Sequence, residues 1–373
     1  MPLPPLDCAH RVGSLREADD PWALYDEIGR AIRADLLAAL PDGYSLGGRR
    51  VLDFGCGAGR SLRHFVESDP DAELWGCDID EPSIDWLRQH LSPPLHVFAN
   101  GELPPLDRPD ESFDVVFAVS VFTHLARSWS AWLLELHRVL KPGGLLLATF
   151  MGEGWCREFT GEEWDEDRVG MLTLRPGQAW DEGGPMILHS GWWIREHWGR
   201  LFDVVSLDPY GFPEKEPGDG QGMAVLRKKD VRLTAADLEA RSDDPREAAS
   251  LAYNVELLTR ELEELRPAAK WLGAERERAG RELARVAADG ESTEERLRVA
   301  SAALLDANQR LAQLPLMESR VEAAIEESVW LVAERGRLEE RIATLQAHVD
   351  LSEGSRSWRL AAPLRRLRRA LRG

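Results

Sequence analysis

The sequence predicts an α/β fold, with a doubly wound and mostly parallel sheet, followed by an α-helical coiled coil. Three regions with different sequence patterns lead to this prediction. In residues 1–230, strand-like runs alternate with helical patterns, which is typical of βαβ units in a mostly parallel sheet. In residues 231–350, apolar residues recur at alternating spacings of four and three, which is the heptad pattern of a coiled coil. Residues 351–373 form a basic tail.

The strands predicted in the first region are short and apolar, and helical patterns such as 83–91 and 130–140 separate them. Their ranges are 50–54, 73–78, 96–98, 113–119, 145–150, 204–207 and 222–226. In sheets of this kind, ligands bind outside the carboxyl ends of the strands. The residues that follow each strand are therefore the first candidates for a functional site.

The composition argues against several classes of protein. A formal net charge of −19 over 373 residues argues against a nucleic-acid binder, because phosphate contacts need clustered Lys and Arg. The four cysteines include no CxxC pair, so we expect no metal site and reduced thiols. The first residues lack the segments of a signal peptide, and no apolar run is long enough to span a bilayer. We therefore expect a cytoplasmic location.

A glycine-rich loop follows the first predicted strand. It reads Asp53-Phe54-Gly55-Cys56-Gly57-Ala58-Gly59-Arg60. Glycines let the backbone approach a ligand closely and adopt positive φ. A dinucleotide-binding turn would read G-x-G-x-x-G, whereas here the third glycine comes one position early and Arg60 takes the place of the last one. The carboxylate of Asp53 suits a cationic ligand with an amino group and a sulfonium better than a pyrophosphate.

Later segments extend the same site. Asp78, followed by Ile79, ends the second predicted strand and is placed to accept hydrogen bonds from both hydroxyls of a ribose. Asn100 and Gly101 follow the third strand, where the edge of an adenine is expected. The stretch 112–117 reads as the fourth strand, and 141–144, Lys-Pro-Gly-Gly, as the turn into the fifth.

Taken together, Asp53-x-Gly55-x-Gly57-x-Gly59, Asp78 and the segments 112–114 and 138–144 resemble the motif set of class I S-adenosylmethionine-dependent methyltransferases, in order and at normal spacing. The resemblance covers roughly residues 1–230 and implies S-adenosyl-L-methionine as the cofactor. The cofactor-binding residues that it implies are Asp53, Gly55, Cys56, Gly57, Gly59, Asp78, Ile79, Asn100, Gly101 and Ser120, the last lining the methyl-transfer face.

A hydroxyl acceptor would also need a base to take its proton. The candidate catalytic residues are His124, just beyond the fourth strand, and His189, in Leu188-His189-Ser190. His124 lies on the carboxyl side of the sheet, where ligands gather. An acidic residue between Glu158 and Asp167 is a further alternative.

Residues 152–200 are predicted to be an acceptor-side insertion. The segment carries six tryptophans, at 155, 164, 180, 192, 193 and 198, and an acidic cluster. Exposed Trp beside carboxylates suits sugar binding, while the alternative is that several of these rings cap the sheet. The stretch 189–204 and Gly220-Gln221-Gly222 resemble a methyltransferase branch often found beside bacterial glycosyltransferases, although members often have Asp where Gly222 stands. This resemblance implies a glycosyltransferase as a partner.

The heptad seam of the second region predicts homo-oligomerisation. It starts with Leu251, Val255, Leu258, Leu262, Leu265, Ala269 and Leu272. Pro267, Gly280, Gly290 and Pro315 are expected to interrupt it, which argues against one straight rod and leaves an antiparallel helical bundle as the alternative.

Within the basic tail, residues 355–373 include seven Arg and no acidic residue. Trp358, Leu360, Leu364, Leu367 and Leu371 can share one side of a short helix, which suits peripheral contact with the inner face of an anionic membrane. The alternative is a solvated tail. The segment 355–367 also resembles a signature of bacterial surface-polysaccharide assembly proteins.

Residues 1–230, the predicted coiled coil and the basic tail together resemble O-antigen chain-terminating methyltransferases. The leading hypothesis is therefore a methyltransferase that acts on a sugar hydroxyl of a lipid-linked glycan. The alternatives are a methyltransferase for a small metabolite or a protein, and a non-catalytic scaffold that binds the cofactor. The intact glycine loop and Asp78 argue against the scaffold.

Overall fold

The structure of the protein is a computed structural model. The structure describes residues 1–9, 15, 18–175, 178–180, 183–213 and 220–288. The larger part of the predicted coiled coil, 289–350, and the whole basic tail lie outside the described residues.

One sheet organises the first region. Its strands, in spatial order, are β3 (His96–Ala99), β2 (Glu73–Asp78), β1 (Arg50–Phe54), β4 (Phe113–Ala118), β5 (Leu140–Phe150), β9 (Gln221–Lys228) and β8 (Phe202–Phe212). Neighbouring strands from β3 to β5 are parallel, whereas β9 is antiparallel to both β5 and β8. This arrangement confirms the doubly wound, mostly parallel sheet. It also puts the carboxyl ends of β1, β2, β4 and β5 and the start of β9 at one edge.

Helices cover both faces of the sheet. They are α1 (Leu6–Ala9), α2 (Pro21–Ala39), α3 (Arg63–Ser68), α4 (Glu81–His90), α5 (Trp129–Val139), α6 (Glu153–Thr160), α7 (Gly191–His197), α8 (Ala235–Glu239) and α9 (Arg246–Ala288). Val51 packs with the core of α2, α3 and α4, while the next residue, Leu52, packs with the core of α5 and α7. Because successive strand residues point to opposite faces and both faces are covered, the strands read as continuous apolar runs.

The predicted turn at 141–144 is part of a strand. β5 starts at Leu140, which pairs with Phe113, and the register then shifts so that Val115 pairs with Leu145. Gly143, with φ +71°, lies within this irregularity. The Pro-Gly-Gly stretch therefore makes a bulge in β5 rather than a loop before it.

Two further strands lie in the predicted insertion. β6 (Met171–Leu174) and β7 (Met186–His189) form a separate antiparallel pair, the β6–β7 pair. The backbone N–H of His189 donates to Met151 O at 2.7 Å, which joins this pair to the end of β5. The insertion therefore packs at the carboxyl edge of the main sheet.

Two features of the chain after residue 230 stand out in the described residues. First, α9 is one helix of 43 residues that continues through Pro267 and Gly280, both expected to interrupt it. Second, the chain stays packed on the first region beyond residue 230, since Leu238 and Tyr253 are buried there. No helix in the described ranges is long and apolar enough to cross a membrane.

Candidate active site

The loop after β1 has the backbone that its glycines predict. Gly55, Gly57 and Gly59 have φ of +83°, +51° and +73°. A Cβ on Gly55 would lie 2.4 Å from Val121 Cγ2, and one on Gly59 would lie 2.8 Å from Leu87 Cδ2, so packing requires these two glycines. A Cβ on Gly57 would meet no atom within 4 Å. The space in front of Gly57 is therefore open to a ligand.

Asp78 joins this loop to the end of β2. The N–H of Gly57 donates to Asp78 Oδ2 at 2.7 Å, and the N–H of Asp80 donates to Asp78 Oδ1 at 2.8 Å. Cys56 N also donates to Cys77 O at 3.0 Å. A carboxylate has about four acceptor positions, so one such side chain can hold a loop and also accept from a hydroxyl. Asp78 and the neighbouring Ile79 are both half-buried.

Asp53 lies beneath the loop. Its side chain is only 3% exposed, and Oδ2 accepts a hydrogen bond from Ser61 Oγ at 3.0 Å. Burial raises the pKa of Asp53 to about 7, and the negative charge of Asp78 acts in the same direction. A cationic ligand would favour the ionised form of this carboxyl.

Asn100 lies next to Asp78 at the end of β3. Its N–H donates to Asp78 O at 3.0 Å, and its Nδ2 donates to the carbonyl of Gly101 at 2.9 Å. Its Oδ1 is buried and has no hydrogen-bond partner within the described part of the chain. An unpaired acceptor at this position suits the amino group of an adenine.

The residues present therefore fit S-adenosyl-L-methionine. Open space lies over Gly57, carboxylates are available for an ammonium and a ribose, and an acceptor is available for adenine. The predicted cofactor residues lie around the carboxyl ends of four neighbouring strands: β3, β2 and β1 carry all of them except Ser120, which follows β4.

The end of β4 carries a second group of polar residues. Ser120 has φ +59°, an uncommon conformation for a residue with a side chain. Its N–H donates to Thr149 Oγ1 at 2.7 Å, and its Oγ accepts from Gln221 Nε2 at 3.0 Å. Gln221 Oε1 is buried and unpaired among the described residues. Gln221 is not among the predicted site residues, although the segment Gly220-Gln221-Gly222 carries part of the family resemblance.

His124, the first candidate base, is held by the insertion. Its Nδ1 donates to the carbonyl of Pro185 at 2.9 Å, so that Nε2 is the nitrogen with the lone pair. Gly184, with φ +68°, lies against the ring, since a Cβ there would be 3.4 Å from Nδ1. Burial lowers the pKa of His124, so the imidazole stays neutral at neutral pH. A neutral, partly exposed imidazole can accept a proton.

His189, the second candidate base, lies in the core. It is 0% exposed, and its ring centroid is 5.3 Å from that of Trp193 and 5.4 Å from that of Trp198. Burial lowers its pKa to about 3. Because the ring does not reach the surface in this structure, His124 is the better placed of the two.

The six tryptophans of the insertion differ in burial. Trp192, Trp193 and Trp198 are buried in the core of the main sheet, which favours the alternative that these rings cap the sheet. Trp155 and Trp164 are half-buried. Trp180 is 40% exposed. In the acidic cluster, Glu162 is bonded to Tyr253 and Arg260 of α9.

The fold and the residues around the loop define a class I S-adenosylmethionine-dependent methyltransferase domain, and S-adenosyl-L-methionine is its cofactor. Comparison with known proteins agrees, because residues 52–146 match the family described as "Methyltransferase domain".

Similar curated proteins carry methyltransferase names. The chain is 34% identical over 125 residues to phthiotriol/phenolphthiotriol dimycocerosates methyltransferase 1 of Mycobacterium ulcerans, covering 34% of this chain and 44% of the relative. It is 33% identical over 102 residues to a fatty-acid O-methyltransferase of Mycolicibacterium smegmatis, covering 27% and 37%. The chain thus spans less than half the length of these relatives. Among solved structures, an S-adenosylmethionine-dependent methyltransferase from Mesorhizobium loti is 18% identical with a TM-score of 0.42, covering 58% of this chain and 100% of that one.

Proposed function

We propose that this protein transfers a methyl group from S-adenosyl-L-methionine to a hydroxyl oxygen. The observation that carries this proposal is His124, a neutral imidazole held at the carboxyl end of β4 by the carbonyl of Pro185. A hydroxyl acceptor needs a base of this kind, because its proton must leave as the new oxygen–carbon bond forms.

When bound, the cofactor supplies a methyl group that its sulfonium already activates. Asp53, Gly55, Gly57, Asp78 and Asn100 would hold it. These residues have little covalent chemistry to perform, so their work is positioning and exclusion of water. On the acceptor side, Nε2 of His124 takes the hydroxyl proton and later releases it to solvent.

For the acceptor, we propose a sugar hydroxyl of a lipid-linked surface polysaccharide. Trp180 supports this choice, because it is 40% exposed and its carbonyl accepts from Gly183 N at 3.3 Å, in the turn that leads to Gly184 beside His124. An exposed indole offers an apolar face for the C–H groups of a sugar ring. The relatives named for phthiotriol dimycocerosates and fatty acids support an acceptor with a lipid part. A methyl ether on a terminal hydroxyl would prevent further chain growth there.

A second candidate is methylation of the lipid itself. The names of the same relatives favour it, since one of them is a fatty-acid O-methyltransferase. The two candidates share the cofactor site. A hydroxyl of the lipid would use His124 in the same way, whereas a fatty-acid carboxylate is already ionised at neutral pH and brings no proton to Nε2.

The remaining proposals concern assembly. The heptad seam supports a homo-oligomer joined through the coil, and the arginine-rich tail supports contact with the inner face of an anionic membrane, where a glycosyltransferase would be a natural partner. Sedimentation of the full-length protein tests the oligomer, and a monomer would contradict it.

The experiment for the reaction uses the full-length protein and cofactor labelled in its methyl group. Three acceptors are offered in parallel: bacterial lipid-linked oligosaccharide, the same lipid after the glycan has been removed, and a free fatty acid. We expect label in the sugar fraction, as a methyl ether that survives acid hydrolysis. Label in the lipid fraction alone would select the second candidate. No transfer to any of the three, by protein that binds cofactor in calorimetry, would refute both.

A further inference from the structure

The first turns of α9 pack directly on the insertion. A Cβ on Gly170 would lie 2.5 Å from Ser250 Oγ, so Gly170 is what permits this close approach. Asn254 Nδ2 donates to the carbonyl of Met171 at 2.7 Å, at the first residue of β6. Tyr253 is 4% exposed and joins the small core of the insertion, with Cys156, Leu172 and Leu188. The helix and the insertion therefore form one packed unit.

Charged groups surround this apolar contact. Glu162 accepts from Tyr253 Oη and from Arg260 Nη1, both at 2.9 Å. The Arg168 guanidinium lies 4.2 Å from the centroid of the Tyr253 ring and pairs with Glu256 at 3.2 Å. Exposed ion pairs contribute little by themselves, so the buried ring of Tyr253 is the main anchor.

The other end of the β6–β7 pair meets the active site. Met171, which α9 holds, pairs with His189, and Leu174 pairs with Met186 at the opposite end. There, Ile187 N donates to the carbonyl of Thr123 at 2.8 Å, and the carbonyl of Pro185 accepts from His124. The ladder between the two strands connects these two ends through four residue pairs.

We propose that α9 is a positioning element of the acceptor site, with Tyr253 as its main positioning residue. The helix holds the β6–β7 pair, and the pair holds His124 in line with the acceptor. The role assigned to His124 rests on the proposed function. The physical link from α9 to His124 does not, and it can be tested without an acceptor.

The inference separates the two halves of the site. Loop 55–59 is tied to β2 through Cys77 and Asp78. Loosening α9 is therefore expected to change the acceptor side and to leave cofactor binding as it is. It also means that the catalytic unit includes the start of α9, and that whatever the coil binds can act on the acceptor side through this helix.

The test compares the full-length protein with Tyr253→Ala, Tyr253→Phe and Asn254→Ala. The matched control is Thr259→Ala, an exposed position of the same helix. Hydrogen exchange is read at the amides of Ile187 and His189, and at those of Gly55 and Cys56, which donate to Cys77 O. In Tyr253→Ala we expect about tenfold faster exchange at the amides of Ile187 and His189. Exchange at the amides of Gly55 and Cys56 should not change. Tyr253→Phe keeps the ring in the core and is expected to match the wild type.

The second measurement is the titration of His124, followed by NMR. In the wild type, burial keeps the pKa of His124 below 6.5, and in Tyr253→Ala it is expected to rise towards 6.5 as the ring becomes more hydrated. Unchanged exchange at Ile187 would show that α9 does not hold the β6–β7 pair. Faster exchange with an unchanged titration would show that the pair does not hold His124. If Tyr253→Ala unfolds, which faster exchange at Gly55 would reveal, the milder Asn254→Ala decides by the same two measurements.

Discussion

The N–H of Gly57 donates a hydrogen bond to Asp78 Oδ2 at 2.7 Å, which joins the loop after β1 to the end of β2. The second oxygen of Asp78 accepts from Asp80 N at 2.8 Å. One carboxylate therefore holds the backbone of the glycine loop at the end of β2. If Asp78 also accepts from the ribose, as the sequence predicts, loop order and ribose recognition depend on the same side chain.

Asp78→Ala should weaken binding of S-adenosyl-L-methionine by about 1.5–3 kcal/mol, because hydrogen bonds to a charged group are lost. Calorimetry on the full-length protein measures this. Asp78→Asn keeps the shape and loses the charge, so its affinity should lie between those of Asp78→Ala and the wild type. An unchanged affinity in Asp78→Ala would contradict the ribose assignment.

Cofactor affinity should depend on pH through Asp53. The pKa of this carboxyl is about 7 in the free protein, and a cation bound above it would lower that pKa. Above pH 7 the carboxylate is already ionised, so affinity should be constant. Below pH 7 the carboxyl must lose a proton on binding, so affinity should fall by up to about tenfold per pH unit. Calorimetric titrations in buffers of different ionisation enthalpy measure how many protons are released when the cofactor binds. Asp53→Asn should abolish the pH dependence of the affinity.

His124→Gln should lower kcat by about 10²–10⁴ and leave cofactor affinity nearly unchanged, as loss of a general base does. His96→Gln is the control, since His96 is an exposed residue at the start of β3, at the opposite edge of the sheet. Because the pKa of His124 is lowered by burial, wild-type activity should persist to a lower pH than 6.5 before it declines. Full activity of His124→Gln would contradict the role of His124 as the base and would favour an acidic residue of the insertion.

His189 should make the fold sensitive to acid. Its pKa is about 3 in the folded chain and 6.5 ordinarily, so the unfolded chain binds the proton first as pH falls. The stabilisation is fully present above pH 6.5 and is lost at about 1.4 kcal/mol per pH unit between those two values. Urea unfolding at a series of pH values measures the slope. His189→Leu should reduce the slope, and an equal slope in both proteins would exclude His189 as its source.

Deleting residues 355–373 should remove binding to vesicles that contain phosphatidylserine, because it removes seven Arg and no acidic residue. Flotation with and without the tail measures binding, and added salt should weaken it in the full-length protein. Vesicles of phosphatidylcholine alone are the control. Equal flotation of the two proteins would leave the tail without this role.

Local patterns in the sequence were enough to predict the sheet and the cofactor loop. The period of apolar residues identifies strands and helices over a few residues, and βαβ alternation restricts the way the strands are arranged. Positive φ at Gly55, Gly57 and Gly59 follows from residue type. Asp78 is the last residue of β2, so the parallel pairing of β2 with β1 brings it to the loop. The sequence predicts a turn at 141–144, where the structure has a bulge, because Pro-Gly-Gly is compatible with both. Only the pairing of β5 with Phe113 and Val115 distinguishes a bulge from a turn.

Contacts between residues far apart in the chain appear only in the tertiary structure. Gln221 reaches Ser120 from 101 residues away, and Pro185 holds His124 from 61 residues away. Burial of His189 and the approach of Ser250 to Gly170 depend on how the insertion packs. No local pattern encodes these choices, because a side chain's partner and hydration are set by the elements that pack around it. Residue type and chain order are local properties, so they predict the sheet and the glycine loop, whereas the surroundings of His124 and His189 depend on packing between distant segments.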